Sequence, residues 1–500
     1  MNRPLLLVVA ALAAATALTV VLAVTLGPRP ARLGEARSGD AALVDRLVDA
    51  VGSDRLNGVS VAVVTPDGAG GSTVTTGAAG TARGSGRPVE AGTSFETGSV
   101  MKPLTGHLLA DLAADGRVDL DSAVGDLVPD GPLARTGAAT LEELATHRSG
   151  LPRLVTSPGQ LARSFVVPFG GDPYTGSAPW LLERAGEDGV PGGAEPTYSN
   201  YGAALLGHAL AASQGRSYAD LVQDRVLTPL GMTDTVVVDR AEDLPTPRAD
   251  PGAASGLPRA PWLAEAWQPA GVGTWSTAPD LARLASGVLD GTAPGVAATE
   301  PRADLDGDRI GLFLDHQRAR RTHPDLAQRR HGRFDGVRRG RPRGRRGAGR
   351  AQRHRHPDDG GRPGPARRAG PGAGRPVSGA LELLGVAGPL LVALAFPLAL
   401  LWLVVADLRP GHDRPAPTRT AGVSALAQAV LGLTLGTFTT PWGTVPVLLW
   451  WLAAWLLCLG TVVLAARWRR LRPVARRPRL ERAGAATWLV AAVAVLLLLA

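Results

Sequence analysis

A chain of 500 residues and 51.6 kDa is too long for one compact core and implies two or three units. Apolar residues at 45% against 19% charged exclude a disordered chain, and the single cysteine, Cys458, excludes an internal disulfide framework or a cysteine zinc site. The net charge of +9 is unevenly spread: residues 1–317 hold 23 basic and 36 acidic side chains, whereas 318–375 hold 19 Arg against four Asp and 376–500 hold 11 Arg against four acids, so nothing in the front of the chain favours nucleic acid.

The chain opens with Arg3 and an uncharged apolar run from Pro4 to Gly27. That run exceeds the 7–15 apolar residues usual in a cleaved signal and is long enough to cross a bilayer core of about 30 Å. Its length favours an uncleaved anchor over residues 1–27, followed by a polar linker over 28–40. From 41 to 317 the pattern is that of a mixed domain. An amphipathic stretch, Leu43–Val51, precedes the alternating run Val59–Val64, the turn Pro66-Asp67-Gly68 and a second strand over Ser72–Thr76. Helical spacing then returns in Leu104–Leu112, Leu141–Ala145, Trp180–Arg184, Tyr201–Ala212, Tyr218–Leu227 and Leu281–Leu289. Strands followed by many helices indicate an α+β domain that should close with further strands.

The closing strands do not follow. After the core-like segment Ile310–Leu314, residues 318–376 are Arg, Gly, Pro, His and Asp without apolar period, and no Ser occurs between Ser286 and Ser378. A structureless stretch of this length is uncommon inside a compact domain. Two origins compete: a genuine basic insert, or a stretch translated out of frame between two compensating shifts. From 377 the chain is membrane-like, with apolar segments at about 383–405, 421–440, 444–466 and 484–500, the second being the least apolar. The loop 406–420 carries three Arg, the link Pro441-Trp442-Gly443 none, and the loop 467–483 eight. The positive-inside rule places the first and last of these in the cytoplasm and the front domain outside the cell.

Among 53 basic residues Lys102 is the sole lysine, and Ser99 lies three positions before it at the start of an apolar-periodic helix. That spacing puts both side chains on one helical face. The positive field of a helix N-terminus favours a developing alkoxide. A serine hydroxyl needs a base to become a nucleophile, and a buried Lys can give up its proton where Arg cannot. With 20 Ser in 500 residues, a Ser at that one offset arises by chance about once in 25. Further on, Tyr198-Ser199-Asn200 separates a Gly/Pro loop from a helix. Tyr198 is a candidate proton carrier beside a cation, and Asn200 offers a donor and an acceptor to a substrate amide. Taken alone, Ser or Asn there is explained as a helix cap.

Together, Ser99-x-x-Lys102 and Tyr198-x-Asn200 resemble the first two active-site motifs of the serine β-lactamase and penicillin-binding protein superfamily. The class C β-lactamase, D-Ala-D-Ala carboxypeptidase and esterase branch is the most similar, since it has Tyr where other branches have Ser. Two more stretches resemble that branch: Leu144–Pro152, containing His147, and Gly273–Arg283. The resemblance covers about residues 41–316. It implies an α+β fold, an antiparallel sheet flanked by helices with a helical subdomain, followed here by an all-α transmembrane region of about four helices. It further implies that Ser99 attacks a carbonyl, that Lys102 and Tyr198 move protons, and that Asn200 orients the substrate, with His147 belonging to a structural turn. No cofactor or metal is implied; the partners are a small-molecule or peptidoglycan-like substrate and the lipid bilayer. The family's third motif, Lys/His-x-Gly, should lie on a strand near 320–335 and complete an oxyanion hole with the Ser99 N–H. The nearest string, His331-Gly332-Arg333, lacks the pattern. A catalytically impaired homologue that binds cell-wall ligands or serves as a membrane sensor is therefore the rival reading. A transporter is disfavoured, because the apolar segments hold almost no charge.

Overall fold

The computed structural model describes residues 3–316, 376–405, 417–440, 447–471 and 485–490, apart from 29, 53–55, 69–70, 158, 160–162, 164–170, 253–255, 257 and 306–307. Helix α1 (Arg3–Leu26) is followed by strand β1 (Arg37–Gly39), helix α2 (Ala41–Val51) and strands β2 (Gly58–Pro66) and β3 (Ser72–Gly80). Asp40 starts α2 by accepting the Leu43 N–H at 2.8 Å. The β2–β3 turn closes on Asp67, whose N–H donates to the Gly71 carbonyl and whose Oδ1 accepts the Gly71 N–H. The three strands form an antiparallel sheet in the order β1-β3-β2. Strand β1 lies within the segment expected to be a linker; three residues of Arg, Ser and Gly carry no period, and the edge of β3 supplies the pairing.

Strand β4 (Ser94–Glu96) then leads into helices α3 (Lys102–Ala114), α4 (Leu141–Ala145), α5 (Ala178–Asp188), α6 (Asn200–Ser213) and α7 (Tyr218–Val222). The last continues as one wider turn over Gln223–Leu227, accounting for the longer period read from the sequence. After β5 (Val236–Val237), β6 (Arg248–Ala249) and β7 (Thr274–Ser276) comes helix α8 (Ala278–Asp290). Strands β5-β7-β4-β6 make a second sheet, antiparallel except for the parallel pair β4–β6. The first sheet has helices on both faces. Gly77 faces Leu43 and Val44 of α2, while Ser72, of opposite parity on β3, donates to Ser286 of α8 at 2.8 Å.

The main core sits among the helices. Every residue of α6 from Asn200 to Ala211 is buried, which is the pattern of a central helix rather than an amphipathic one. Around it pack Leu104, Leu108, Leu109, Leu144 and Trp267, each large aliphatic side chain contributing about 1.5–3 kcal/mol by burial. Strands β8 (Ala303–Leu305), β9 (Asp308–Ile310) and β10 (Asp315–His316) form a small antiparallel sheet. The expected core segment does enter the interior. Leu312 donates its N–H to Ala298 and Phe313 to Ala145, both at 2.9 Å, and both side chains are buried. The segment 318–375, with the strands and third motif expected near 320–335, lies outside the described residues.

Helices α9 (Pro376–Val405), α10 (Arg419–Thr439) and α11 (Val447–Arg467) fall on the expected apolar segments, α9 beginning earlier than the hydropathy does. Leu6–Leu26, Arg419–Thr437 and Val447–Arg470 are long and apolar enough to cross a membrane, and α9 carries the shorter apolar stretch Leu390–Val405. Residues 485–490 are helical, and the remainder of the fourth expected segment lies outside the described residues. Helix α1 joins these helices: Trp455 Nε1 donates to Thr16 Oγ1 at 3.3 Å, and Leu22 and Ala23 pack against the cluster that contains Trp450 and Leu457.

Candidate active site

Strand β4 delivers the chain to the site. Thr97 is pinned to β7, its N–H and its hydroxyl both donating to the Thr274 carbonyl at 3.0 and 2.9 Å. A single tight turn, Gly98–Met101, then carries Ser99, and Lys102 opens α3. The Lys102 side chain is 3% exposed. Its Nζ lies 2.8 Å from Ser99 Oγ and donates to the Ala270 carbonyl at 2.9 Å. Burial holds the ammonium pKa well below the usual lysine range, and the nearby Arg153 charge lowers it further. Gly271, immediately after Ala270, has φ +98°, and a Cβ there would collide with the Gly98 carbonyl. Only glycine lets this backbone close over the nucleophile turn.

Tyr198 stands over the same lysine, with Nζ 5.0 Å from its ring centroid and the Arg153 guanidinium 5.3 Å away. The His147 ring packs against it at 4.8 Å. His147 has the left-handed φ of +62°, and its carbonyl accepts the Thr197 N–H at 2.8 Å. Its Nδ1 accepts the Ser199 N–H at 3.3 Å. Burial, aided by the Lys102 charge, pushes its pKa down to about 3. A residue whose carbonyl and neutral ring accept from the backbone on either side of Tyr198 is a positioning residue, not a base.

The cap of α6 is Ser199, which accepts the Gly202 N–H and donates to the Pro152 carbonyl, both at 2.8 Å. Capping is thus done by the residue between Tyr198 and Asn200, and the Asn200 side chain turns to Tyr174 instead. Asn200 is 4% exposed; its Nδ2 donates to the Tyr174 hydroxyl at 3.3 Å, and its Oδ1 is buried without a partner among the described residues. The four residues expected from the sequence are therefore gathered on one cluster, Asn200 reaching it through Tyr174. Chemically, a neutral lysine in contact with a serine hydroxyl can accept its proton, and a phenol beside that lysine can relay it.

Tyr174 had no part in the sequence reading. It is wedged between Trp262 and Trp267, at ring distances of 5.2 and 5.3 Å, and burial, with Tyr198 beside it, pushes its pKa up to about 12. A signal did exist: the chain has four Tyr, at 174, 198, 201 and 218, all in one short stretch. Behind β4, Glu96 accepts from Arg259 at 2.6 Å and from the Trp262 N–H at 2.9 Å, which fixes the wall that holds Tyr174. Among the described residues no group of three or more His, Cys, Asp and Glu is placed to hold a metal.

The family model described as Beta-lactamase matches residues 42–451. Among curated proteins, the D-alanyl-D-alanine-carboxypeptidase/endopeptidase AmpH of Escherichia coli (strain K12) is 33% identical over 142 residues, 27% of this chain and 35% of that protein. Penicillin-binding protein 4 of Amycolatopsis lactamdurans is 30% identical over 162 residues, 31% of this chain and 39% of that protein. The match thus spans little more than a third of the length of these relatives. Among solved structures, a class C beta lactamase from Rhodobacter sphaeroides shares 25% identity at a TM-score of 0.42, over 54% of this chain and 73% of that one.

Proposed function

The chain belongs to the beta-lactamase family, and from that premise we propose that it is a membrane-anchored extracytoplasmic serine hydrolase acting through an acyl-enzyme. The substrate class is a β-lactam, a D-Ala-D-Ala peptide or an ester. The observation that carries the reading is the 2.8 Å contact between Ser99 Oγ and the buried Lys102 Nζ. Ser99 Oγ attacks the carbonyl carbon while its proton passes to Lys102 Nζ. Tyr198 returns a proton to the departing nitrogen or oxygen, and the Ser99 ester is then cleaved by water. Asn200 orients the substrate through the amide that Tyr174 holds. The front domain works outside the cell, tethered by α1 and the C-terminal helices.

The test is labelling of the intact protein with a fluorescent penicillin and with a fluorophosphonate, followed by mass spectrometry of the adduct. Ser99 should carry it. Lys102→Arg keeps the charge but removes the base, so acylation should fall by at least about 10²–10⁴-fold with the fold intact. An adduct elsewhere, or ordinary labelling of the Arg variant, refutes the assignment.

A second reading, a catalytically impaired homologue that binds cell-wall ligands or acts as a sensor, is favoured by one observation. No Lys-x-Gly or His-x-Gly occurs anywhere in the sequence, so the second oxyanion donor has no evident source. A folded protein that forms no Ser99 adduct with either probe would support it. Such a motif in another reading frame of the DNA encoding 318–375 would attribute the defect to a frame shift.

A further inference from the structure

The end of the helical bundle where loops 406–420 and 467–483 attach carries a charge that the chain does not neutralise. The two loops hold three and eight Arg against two acids and one, Asp407 and Asp413 in the first and Glu481 in the second. Glu382, the one other acid after residue 376, belongs to the opposite end of α9. Even with every acid paired, most of these arginines need an anion from elsewhere. The structure fixes several of them where α10 starts and α11 ends. Gly422 of α10 lies so close to α11 that a Cβ there would meet Leu464 Cδ1 at 2.7 Å. Beyond α11 the chain makes one tight turn, Trp468–Arg470, and Leu471 returns to the buried cluster between the helices. That turn leaves Trp468, Arg469 and Arg470 exposed. Arg467 donates to the Val404 carbonyl at the end of α9. The Arg419 guanidinium instead lies 5.6 Å from the Trp468 ring centroid, and its Nε is buried with no partner among the described residues. A buried donor left without an acceptor costs free energy that a bound anion would recover.

A guanidinium packed against an indole keeps its edge for hydrogen bonding, and its planar fork matches a phosphate. Trp at the end of a spanning helix sits at headgroup depth. Basic clefts between spanning helices take anionic lipid headgroups. We propose that the junction of α10 and α11 binds the phosphate of an anionic phospholipid, held by Arg419, Arg469 and Arg470 beside the Trp468 ring. The bound lipid gives α10, the least apolar of the candidate spans, a second tether to α11. The assignment rests on the membrane-anchored part of the proposed function and is independent of the chemistry at Ser99.

Binding is read by native mass spectrometry on the full-length chain in detergent micelles. The probes are dioleoyl-phosphatidylglycerol and dioleoyl-phosphatidylcholine, which share their acyl chains, choline neutralising the phosphate of the second. Phosphatidylglycerol should be held about 10–100-fold more tightly, the range of one charge-assisted pair. Arg419→Gln should remove most of that preference and Arg419→Lys should retain part of it. Arg477→Gln, later in loop 467–483, should leave it within about twofold. Trp468→Leu spares every charge yet should also weaken phosphatidylglycerol, and it decides the matter if Arg419→Gln lowers the Tm. Equal binding of the two lipids, or a preference that survives the deciding variant, overturns the proposal. So does an equal loss in Arg477→Gln, the sign of diffuse attraction, or sn-glycerol 3-phosphate binding as tightly as the lipid, the sign of a soluble phosphate ligand. Release of the chain from membranes by an alkaline wash would sink the anchored reading itself, whereas retention without a lipid preference sinks this site alone.

Discussion

His147 shows how one side chain links the site to the stability of the fold. Its folded pKa, about 3, lies below the value near 6.5 of an unfolded chain. Between those values the unfolded state binds more protons, so the contribution of the neutral ring is complete above about pH 6.5 and is lost as pH falls toward 3. Asn tolerates the left-handed backbone that this position requires. His147→Asn should therefore cost about 1–2 kcal/mol at pH 7, through loss of the Ser199 hydrogen bond and the packing on Tyr198. The gap in Tm between wild type and variant should narrow markedly at pH 4.5. His107 and His208, also held neutral by burial, are common to both proteins and cancel. A gap that is the same at both pH values would remove His147 as the titrating group.

At the scale of elements, what was legible in the sequence followed from periodicity. Leu141–Ala145 and the body of α6 were read because apolar residues recur at helical spacing, and β2 because alternation runs long enough to count. Strands of two or three residues, such as β4, β5 and β7, are defined by their partners and leave no period. Ser99 and Lys102 were legible because a lone lysine three residues after a serine is improbable. Tyr174 was not, since its role depends on which loops fold against α6. Gly271 belongs to the same class: its place is set by the approach of two backbones, far apart in sequence, at Gly98. Gly271→Ala should push the Gly98–Met101 turn away, lowering stability by about 1–3 kcal/mol and Ser99 labelling by about 10²-fold or more. Gly116→Ala is the control. It shares a positive φ, +66°, but a Cβ there meets nothing within 4 Å, so it should lower Tm with labelling unchanged. Equal labelling by both variants would show that the close approach does not position the nucleophile.

For the whole molecule, the helices after residue 376 bear on the proposed side of the front domain. Arg467 donates to the Val404 carbonyl, so α9 and α11 end at the same level. Arg419, at the start of α10, lies over the Trp468 ring at 5.6 Å, while Trp450 near the start of α11 donates to Thr437 near the end of α10 at 2.6 Å. The three helices thus run alternately up and down, which gathers the termini facing the three-Arg loop 406–420 and the eight-Arg loop 467–483 on one end of the bundle. The arginine-free Pro441-Trp442-Gly443 link leaves from the other. Charge and packing agree, and such agreement is what a positive-inside orientation requires. The proposed orientation also requires α10 to traverse fully, although its Gln428, Thr and Gly residues leave it the least apolar of the set. On the proposed orientation, with loop 406–420 in the cytoplasm, α9 enters from outside and the domain that precedes it lies outside the cell. Reporter fusions after Arg414, Trp442 and Arg477 should read inside, outside and inside. An outside signal at Arg477 would mean that one helix fails to cross, since eight arginines resist translocation, and the alternating bundle would have to be redrawn.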